Sequence, residues 1–137
     1  GKETNLQMKF TQIKETCLYA RDLGQTRVFY HDVLRLQIIQ EEAGKHIFFR
    51  VGSSVLLFFN PDDSRTKVSP PGHYGEGKQH IALEVPATEY LTTKNELIKK
   101  GIKIIGAVKW KNDIESFYFE DPAGNVVEIV PDNGMWD

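Results

Sequence analysis

The stretch Glu15-Thr16-Cys17-Leu18-Tyr19-Ala20 has a counterpart 65 positions later in His80-Ile81-Ala82-Leu83-Glu84-Val85. Both alternate in the way of a half-buried strand, whose successive side chains point to opposite faces. Around the first copy the alternation runs over residues 13–20. Asp22 then precedes apolar residues at Val28, Phe29, Val33, Leu34 and Leu36. That spacing predicts a helix, which Asp22 or Thr26 can cap by accepting a hydrogen bond from a free N–H of its first turn. Residues 37–59 carry three short runs rich in Ile, Phe and Val, interrupted at Glu42-Ala43-Gly44 and at Gly52-Ser53-Ser54. These interruptions are turn chemistry and predict three antiparallel strands.

The second copy repeats this order. A strand over 79–85 leads to a helix over 88–100, with Tyr90, Leu91, Leu97 and Ile98 on one face and Gly101 closing it. Strands follow over 102–108, 114–120 and 125–130. Asp121-Pro122-Ala123-Gly124-Asn125 joins the last two as a hairpin, Asp-Pro setting the entry and Gly124 supplying a positive φ. Between the copies, residues 60–78 hold Pro61, Pro70, Pro71, Gly72, Gly75 and Gly77, a composition that predicts a long loop without helix or central strand. Such loops in compact domains are often lids or crossovers. The chain therefore reads as an α+β protein of two βαβββ modules whose mixed sheets curve around a central pocket. One domain is expected over residues 10–131, with modules at 10–60 and 79–131 and a linker at 61–78.

The bulk composition narrows the function. The 137 residues are 40% apolar and 26% charged, ordinary values for a globular chain. The formal charge is −2, and the basic residues are scattered from Lys2 to Lys111. No basic stripe is available to neutralise a row of phosphates, so nucleic acid is not an expected partner. No apolar run approaches the ~20 residues of a membrane span. The N-terminus lacks the charged-then-apolar pattern of a signal peptide, which makes a cytoplasmic location the expectation. Cys17 is the single cysteine; it excludes an internal disulfide and suits a reducing compartment.

The repeat also selects candidate site residues. Val55-Leu56-Leu57-Phe58 falls on Val126-Val127-Glu128-Ile129, placing Leu57 opposite Glu128. Four equivalent inward positions result, three of them with metal-ligating side chains: Glu15, His80 and Glu128. An isolated carboxylate among apolar neighbours is costly to bury, and a cation removes that cost. Singly, such a His is usually a hydrogen-bonded core residue and such a Glu a solvated one; the repeat is what joins them. Alternation puts Cys17 and Tyr19 on the face of Glu15, and Ala82 and Glu84 on the face of His80. Cys17 reads as a small hydrophobe before a redox-sensitive thiol. Glu84 reads equally as a general base or a rim carboxylate. His46, His73 and Tyr74 fall on turns or in the long loop. His73 and Tyr74 are either part of a lid over a ligand or exposed ring residues. Phe48, Phe49, Phe58, Phe117, Tyr118 and Phe119 supply the core, and those facing inward make the pocket apolar.

Residues 15–23, 28–36, 80–85 and 120–129, in this order and spacing, resemble the glyoxalase, bleomycin-resistance and extradiol-dioxygenase superfamily, the vicinal oxygen chelate proteins. The run Asp121-Pro-Ala-Gly-Asn-Val-Val-Glu128 is the most specific piece. The resemblance covers Phe10 to Pro131. It implies two modules folded into a cup, a divalent metal bound from the first and last strands of each module, and a homodimer. Position by position it places the ligands on Glu15, His80 and Glu128, and it leaves Leu57 as a fourth position without a donor. This is similar to the three-ligand members, such as the extradiol dioxygenases and fosfomycin-resistance transferases, which carry His where this chain has Glu15. The implied ion is Mn, Fe, Co, Ni or Zn. The implied function is metal-dependent isomerase, lyase, thiol-transfer or ring-cleaving chemistry on a small oxygenated metabolite or xenobiotic. Glu128 and Glu84 would be catalytic, with Cys17, Tyr19, His73 and Tyr74 at the substrate. The alternative is a metal-free protein that sequesters a small molecule, as the bleomycin-binding members do.

Overall fold

Alternation along each strand becomes a division of each sheet into two faces, and the computed structural model, which describes residues 7–136, shows which face is which. Strands β1 (Glu15–Tyr19), β2 (Gln37–Glu42), β3 (His46–Val51) and β4 (Ser54–Phe59) form one sheet in the order β1-β4-β3-β2. Strands β5 (His80–Val85), β6 (Gly106–Lys109), β7 (Glu115–Glu120) and β8 (Val126–Pro131) form the second, in the order β5-β8-β7-β6. In each sheet the first strand runs parallel to the last and the remaining pairs are antiparallel. The sequence repeat is thus a repeat of topology, and the α+β reading with two βαβββ modules is borne out. His46, expected on a turn, instead opens β3.

One apolar core serves both sheets. Leu18, Phe49, Leu56 and Phe58 enter it from the first sheet, and Phe117, Phe119, Val127 and Ile129 from the second. The first helix joins them: the Tyr30 ring lies 4.7 Å from Phe58, and Phe29 lies 5.9 Å from Phe119. Residues of opposite parity, Cys17, Phe48 and Leu57 in one sheet and Ala82, Tyr118 and Glu128 in the other, therefore occupy the faces turned away from this core.

The helices depart from their expected form for local reasons. The first is α1 (Leu23–Arg27), which continues as a π-helical turn over Val28–Val33. The wider turn closes with Leu34 N–H donating to Phe29 O at 3.0 Å. Val28 is exposed, whereas Tyr30, on the helix face of buried Leu23 and Thr26, is fully buried. Asp22 is the cap, its Oδ1 accepting from Gln25 N–H at 3.0 Å, whereas Thr26 is buried and donates its hydroxyl to Asp22 O. Within the long loop, Asn60 and Pro61 start a short helix, α2 (Pro61–Ser64), contrary to the expectation of no helix. Proline at the first helical position has no N–H to lose and a φ already suited to the turn. On α3 (Tyr90–Lys99), Tyr90 and Leu97 are buried but Leu91 and Ile98 are exposed. Strand β6 starts only at Gly106, later than its apolar run suggested.

The Asp121–Asn125 turn ties the modules together. Gly124 has φ +86°. Asp121 Oδ1 accepts from the N–H groups of Ala123 and Asn125, both at 2.9 Å, and Oδ2 accepts from Asn125 Nδ2 and from the Tyr30 hydroxyl at 2.7 Å. The Tyr30 bond crosses from the first module to the second and is buried. Tyr30→Phe should cost about 2 kcal/mol, the worth of a buried hydrogen bond to a charged acceptor. Asp121→Ala, which abandons four donors, should cost more. Urea denaturation with an unchanged m-value would show this order.

Candidate functional site

His80 is held by its own sheet. Its Nδ1 lies 3.0 Å from Val126 O. A carbonyl oxygen can only accept, so Nδ1 carries the proton in this contact and Nε2 of the neutral ring is left with a lone pair. Nε2 faces Glu128 Oε1 at 3.2 Å. Glu128 is 5% exposed, and its other oxygen accepts from the Tyr118 hydroxyl at 3.1 Å. Two acceptor lone pairs meeting at hydrogen-bond distance repel each other unless a positive charge lies between them. A shared proton or a metal ion meets that requirement.

Behind Glu128 runs a chain of donors. Trp110 Nε1–H donates to Ser116 Oγ at 2.9 Å, and Ser116 Oγ contacts Tyr118 Oη at 3.4 Å. Burial, followed by the charge and hydrogen bond of Glu128, raises the Tyr118 hydroxyl above the usual tyrosine range, with Ser116 pulling the other way. The phenol thus stays protonated and able to donate. Trp110, Ser116 and Tyr118 as supports of Glu128 were not foreseen. The signal for Tyr118 was the hairpin itself, whose turn fixes the pairing of Glu120 with Val126 and hence of Tyr118 with Glu128.

Glu15 does not join this pair. It lies exposed at the start of β1, on the outer face of the other sheet. Among the described residues no group of three or more His, Cys, Asp or Glu side chains could hold a metal ion within one chain. Glu15 instead borders a hollow of about 670 Å³ on the first sheet, with Cys17, Leu57, Phe48 and Phe59 along its floor and Pro70, Pro71 and His73 at its side. Glu84 is exposed on β5, pairing with Val130, roughly 13 Å along the strand from His80 at ~3.3 Å per residue.

The long loop is fastened over the edge of this hollow. Tyr19 Oη lies 2.8 Å from His73 Nδ1, and the His73 ring stands at 85° to Phe59 with centroids 4.6 Å apart. Ser64 Oγ donates to His73 O at 2.7 Å. Gly75 packs so closely on Tyr19 that a Cβ there would come within 2.5 Å of its ring. Outside, Arg21 bonds Asp62 and Glu76; its hydrogen bond holds the Asp62 carboxyl below the usual range, and the Tyr74 hydroxyl, followed by Arg21, does the same for Glu76. Tyr74 belongs to this outer layer. Its hydroxyl bonds Glu76 and its ring lies under Arg65, at 4.4 Å. Of the four residues expected at the substrate, Cys17 and His73 line the hollow, Tyr19 supports His73, and Tyr74 faces elsewhere.

Burial, and then the nearby Glu15 charge, pushes the Cys17 thiol above the usual cysteine range. Only the thiolate is nucleophilic. Alkylation by iodoacetamide at pH 8 should therefore run at least about fivefold slower than for an exposed cysteine, its midpoint lying above the ~8.5 of a free thiol. Stopped-time mass spectrometry over pH 7–10 reads both.

Comparison with known proteins places this geometry in context. Residues 12–129 match the family described as the Glyoxalase/Bleomycin resistance protein/Dioxygenase superfamily. A lactoylglutathione lyase from Agrobacterium tumefaciens has a similar structure, with TM-score 0.87 and 31% identity over 91% of this chain and 96% of that one. A glyoxalase/bleomycin resistance protein/dioxygenase from Nocardioides follows with TM-score 0.71 and 19% identity, over 96% and 91% of the two chains. An integron cassette protein from the mobile metagenome of Vibrio cholerae has TM-score 0.73 and 21% identity, over 93% and 100%. These last two share the fold. No curated protein sequence matches the chain significantly. No helix among the described residues is long and apolar enough to cross a membrane.

Proposed function

We propose that this chain, which belongs to the Glyoxalase/Bleomycin resistance protein/Dioxygenase superfamily, is a divalent-metal-dependent enzyme whose site is completed by a second copy of itself. His80 and Glu128 of one copy and Glu15 of the other are the ligands. The observation that carries the reading is the approach of His80 Nε2 to Glu128 Oε1 at 3.2 Å, with the far nitrogen of the ring already committed to Val126 O. A ligating histidine commonly donates its other N–H to a backbone carbonyl in this way.

The donor set fits such an ion. One imidazole and two carboxylates suit Mn, Fe, Co, Ni or Zn, and Leu57 in the fourth position leaves room for substrate or water. The second copy is needed because the shared core sets Glu15 on a different outer face from His80 and Glu128, so that one chain supplies two donors and its partner the third. Residues 10–131 act as one domain in this reading, in a cytoplasmic homodimer.

When bound, the ion acts as a Lewis acid on an oxygen of the substrate. The protein groups do the rest. Tyr118 keeps one Glu128 oxygen occupied and so aims the other. Glu128, beside His80, is the carboxylate placed to hold or return a proton at a reacting oxygen, whereas Glu84 stands roughly 13 Å along β5 from His80. This arrangement favours lyase or isomerase chemistry on a small oxygenated compound, in keeping with the 31% identity to a lactoylglutathione lyase.

Protein purified without added metal should contain about one divalent ion per chain. His80→Ala, Glu128→Ala and Glu15→Ala should each lower metal content at least about tenfold, and Tyr118→Phe by less. Mixed dimers of Glu15→Ala with the double variant His80→Ala/Glu128→Ala should recover one intact site. Elemental analysis and native mass spectrometry read these outcomes. Metal content unchanged in all three ligand variants defeats the proposal. A metal-free wild type that still binds small molecules favours the sequestering protein instead, a reading the apolar hollow around Leu57 supports.

A further inference from the structure

Every donor behind Glu128 points the same way. An indole N–H can only donate, so Trp110 Nε1, at 2.9 Å, makes Ser116 Oγ the acceptor. The Ser116 hydrogen is left for Tyr118 Oη at 3.4 Å, and the Tyr118 hydrogen for Glu128 Oε2 at 3.1 Å. An ionised carboxylate can only accept, so both ends of the run fix its direction. Hydrogen bonds joined head to tail polarise one another, and the effect grows away from water. The run is an anchor and not a proton relay, because the indole at its outer end has no lone pair to take up a proton.

The residue types at the two outer links follow from this role. Ser116 is fully buried within β7, at a kind of position that favours β-branched or aromatic side chains, and a buried hydroxyl is costly unless it is bonded. Trp110 follows β6 and is drawn back onto β7 twice, by its backbone N–H to Ile114 O at 2.7 Å and by its indole to Ser116. The internal repeat supplies the comparison. In the first sheet Leu57 stands where Glu128 does, Phe48 where Tyr118 does, and His46, two residues before Phe48, where Ser116 does. There the His46 and Phe48 rings stack with centroids 4.4 Å apart. The column of hydroxyls is built in the module that has a carboxylate to hold.

We propose that Trp110 is a positioning residue for Glu128. Acting through Ser116 and Tyr118, it keeps Oε2 engaged and so turns Oε1 toward His80. Without the indole N–H, the Ser116 hydroxyl is free to swing to a nearby backbone carbonyl, and Tyr118 loses the donor that polarises it. The orientation of Glu128 stands on the hydrogen bonds alone; its consequence for an ion rests on the proposed metal site.

Trp110 carries its own reporter, the indole N–H, and the exposed Trp136 provides a reference signal. The experiment is 1H–15N NMR of the metal-free protein. Glu128→Gln keeps an oxygen for Tyr118 and offers an N–H to His80 Nε2, so it removes the charge without breaking the run. It should move the Trp110 indole proton upfield and leave that of Trp136 in place. In a Ser116→Ala protein that melts cooperatively, the same substitution should no longer move it, because the link is gone. Tyr118→Phe, which breaks the run one link further in, should abolish the response likewise. In the metal-loaded homodimer, Trp110→Phe keeps a ring but loses the N–H; it should weaken Co²⁺ binding about threefold and alter the visible absorption of the bound ion. Adding Ser116→Ala to Trp110→Phe should cost no more than either alone. An unmoved Trp110 signal in Glu128→Gln, an equal shift with and without the linking hydroxyls, or wild-type Co²⁺ binding by Trp110→Phe would each overturn the inference. A wild type that takes up no metal defeats the proposed function only, and the indole shifts, read without metal, still decide the positioning role.

Discussion

A single apolar layer shared by two sheets is the constraint on which the rest of the molecule depends. Phe29 and Tyr30 reach from one helix into both halves, and the aromatic residues of β3, β4 and β7 close around them. Once one face of each sheet is spent on this layer, strict alternation dictates what the other face carries. Polar residues that would be costly in the core are tolerated on the outer faces, and there the chemistry collects. The same constraint separates Glu15 from His80 and Glu128 within a chain. A duplicated module therefore makes two outer faces of different character.

The two outer faces are built with different materials. On the second sheet, a backbone carbonyl fixes the imidazole, a phenol fixes the carboxylate, and an indole and a hydroxyl stand behind the phenol. Each group is oriented by a neighbour, so the two acceptors confront one another and the local field favours a cation. On the first sheet the rings of Phe48, Phe59, His46 and His73 make a ring-lined contact surface. The loop that supplies His73 is held by Tyr19 and Ser64 within and by the Arg21 ion pairs without. One repeated module has thus diverged into a polar and an apolar outer face.

Much of this could be read from the residues. The offset that aligned Glu15 with His80, and Leu57 with Glu128, reappears in the ladders, where Cys17 pairs with Leu57 as Ala82 pairs with Glu128. The Asp121–Asn125 turn behaves as its residues demand. What escaped was set by context beyond the local pattern. The apolar run suggested Val28 as an inward residue, but the face that holds Leu23 and Thr26 carries Tyr30 inward and leaves Val28 exposed. Pro61 was read as a breaker although it can begin a helix. Tyr74 looked like His73 in sequence, yet Arg65 and Glu76 draw it to the outer surface. That Glu15 and His80 occupy equivalent positions was legible; that equivalence in a back-to-back pair means separation was not, because it depends on which faces the core consumes.

The electrostatic demand between His80 and Glu128 is measured most directly by the ring nitrogen shifts of His80, followed by 15N NMR at pH 7.5 before and after addition of Zn²⁺. The account predicts a protonated Nδ1 throughout and an Nε2 whose signal moves to the metal-bound range when zinc is added. A proton on Nε2 that persists in excess zinc would contradict it.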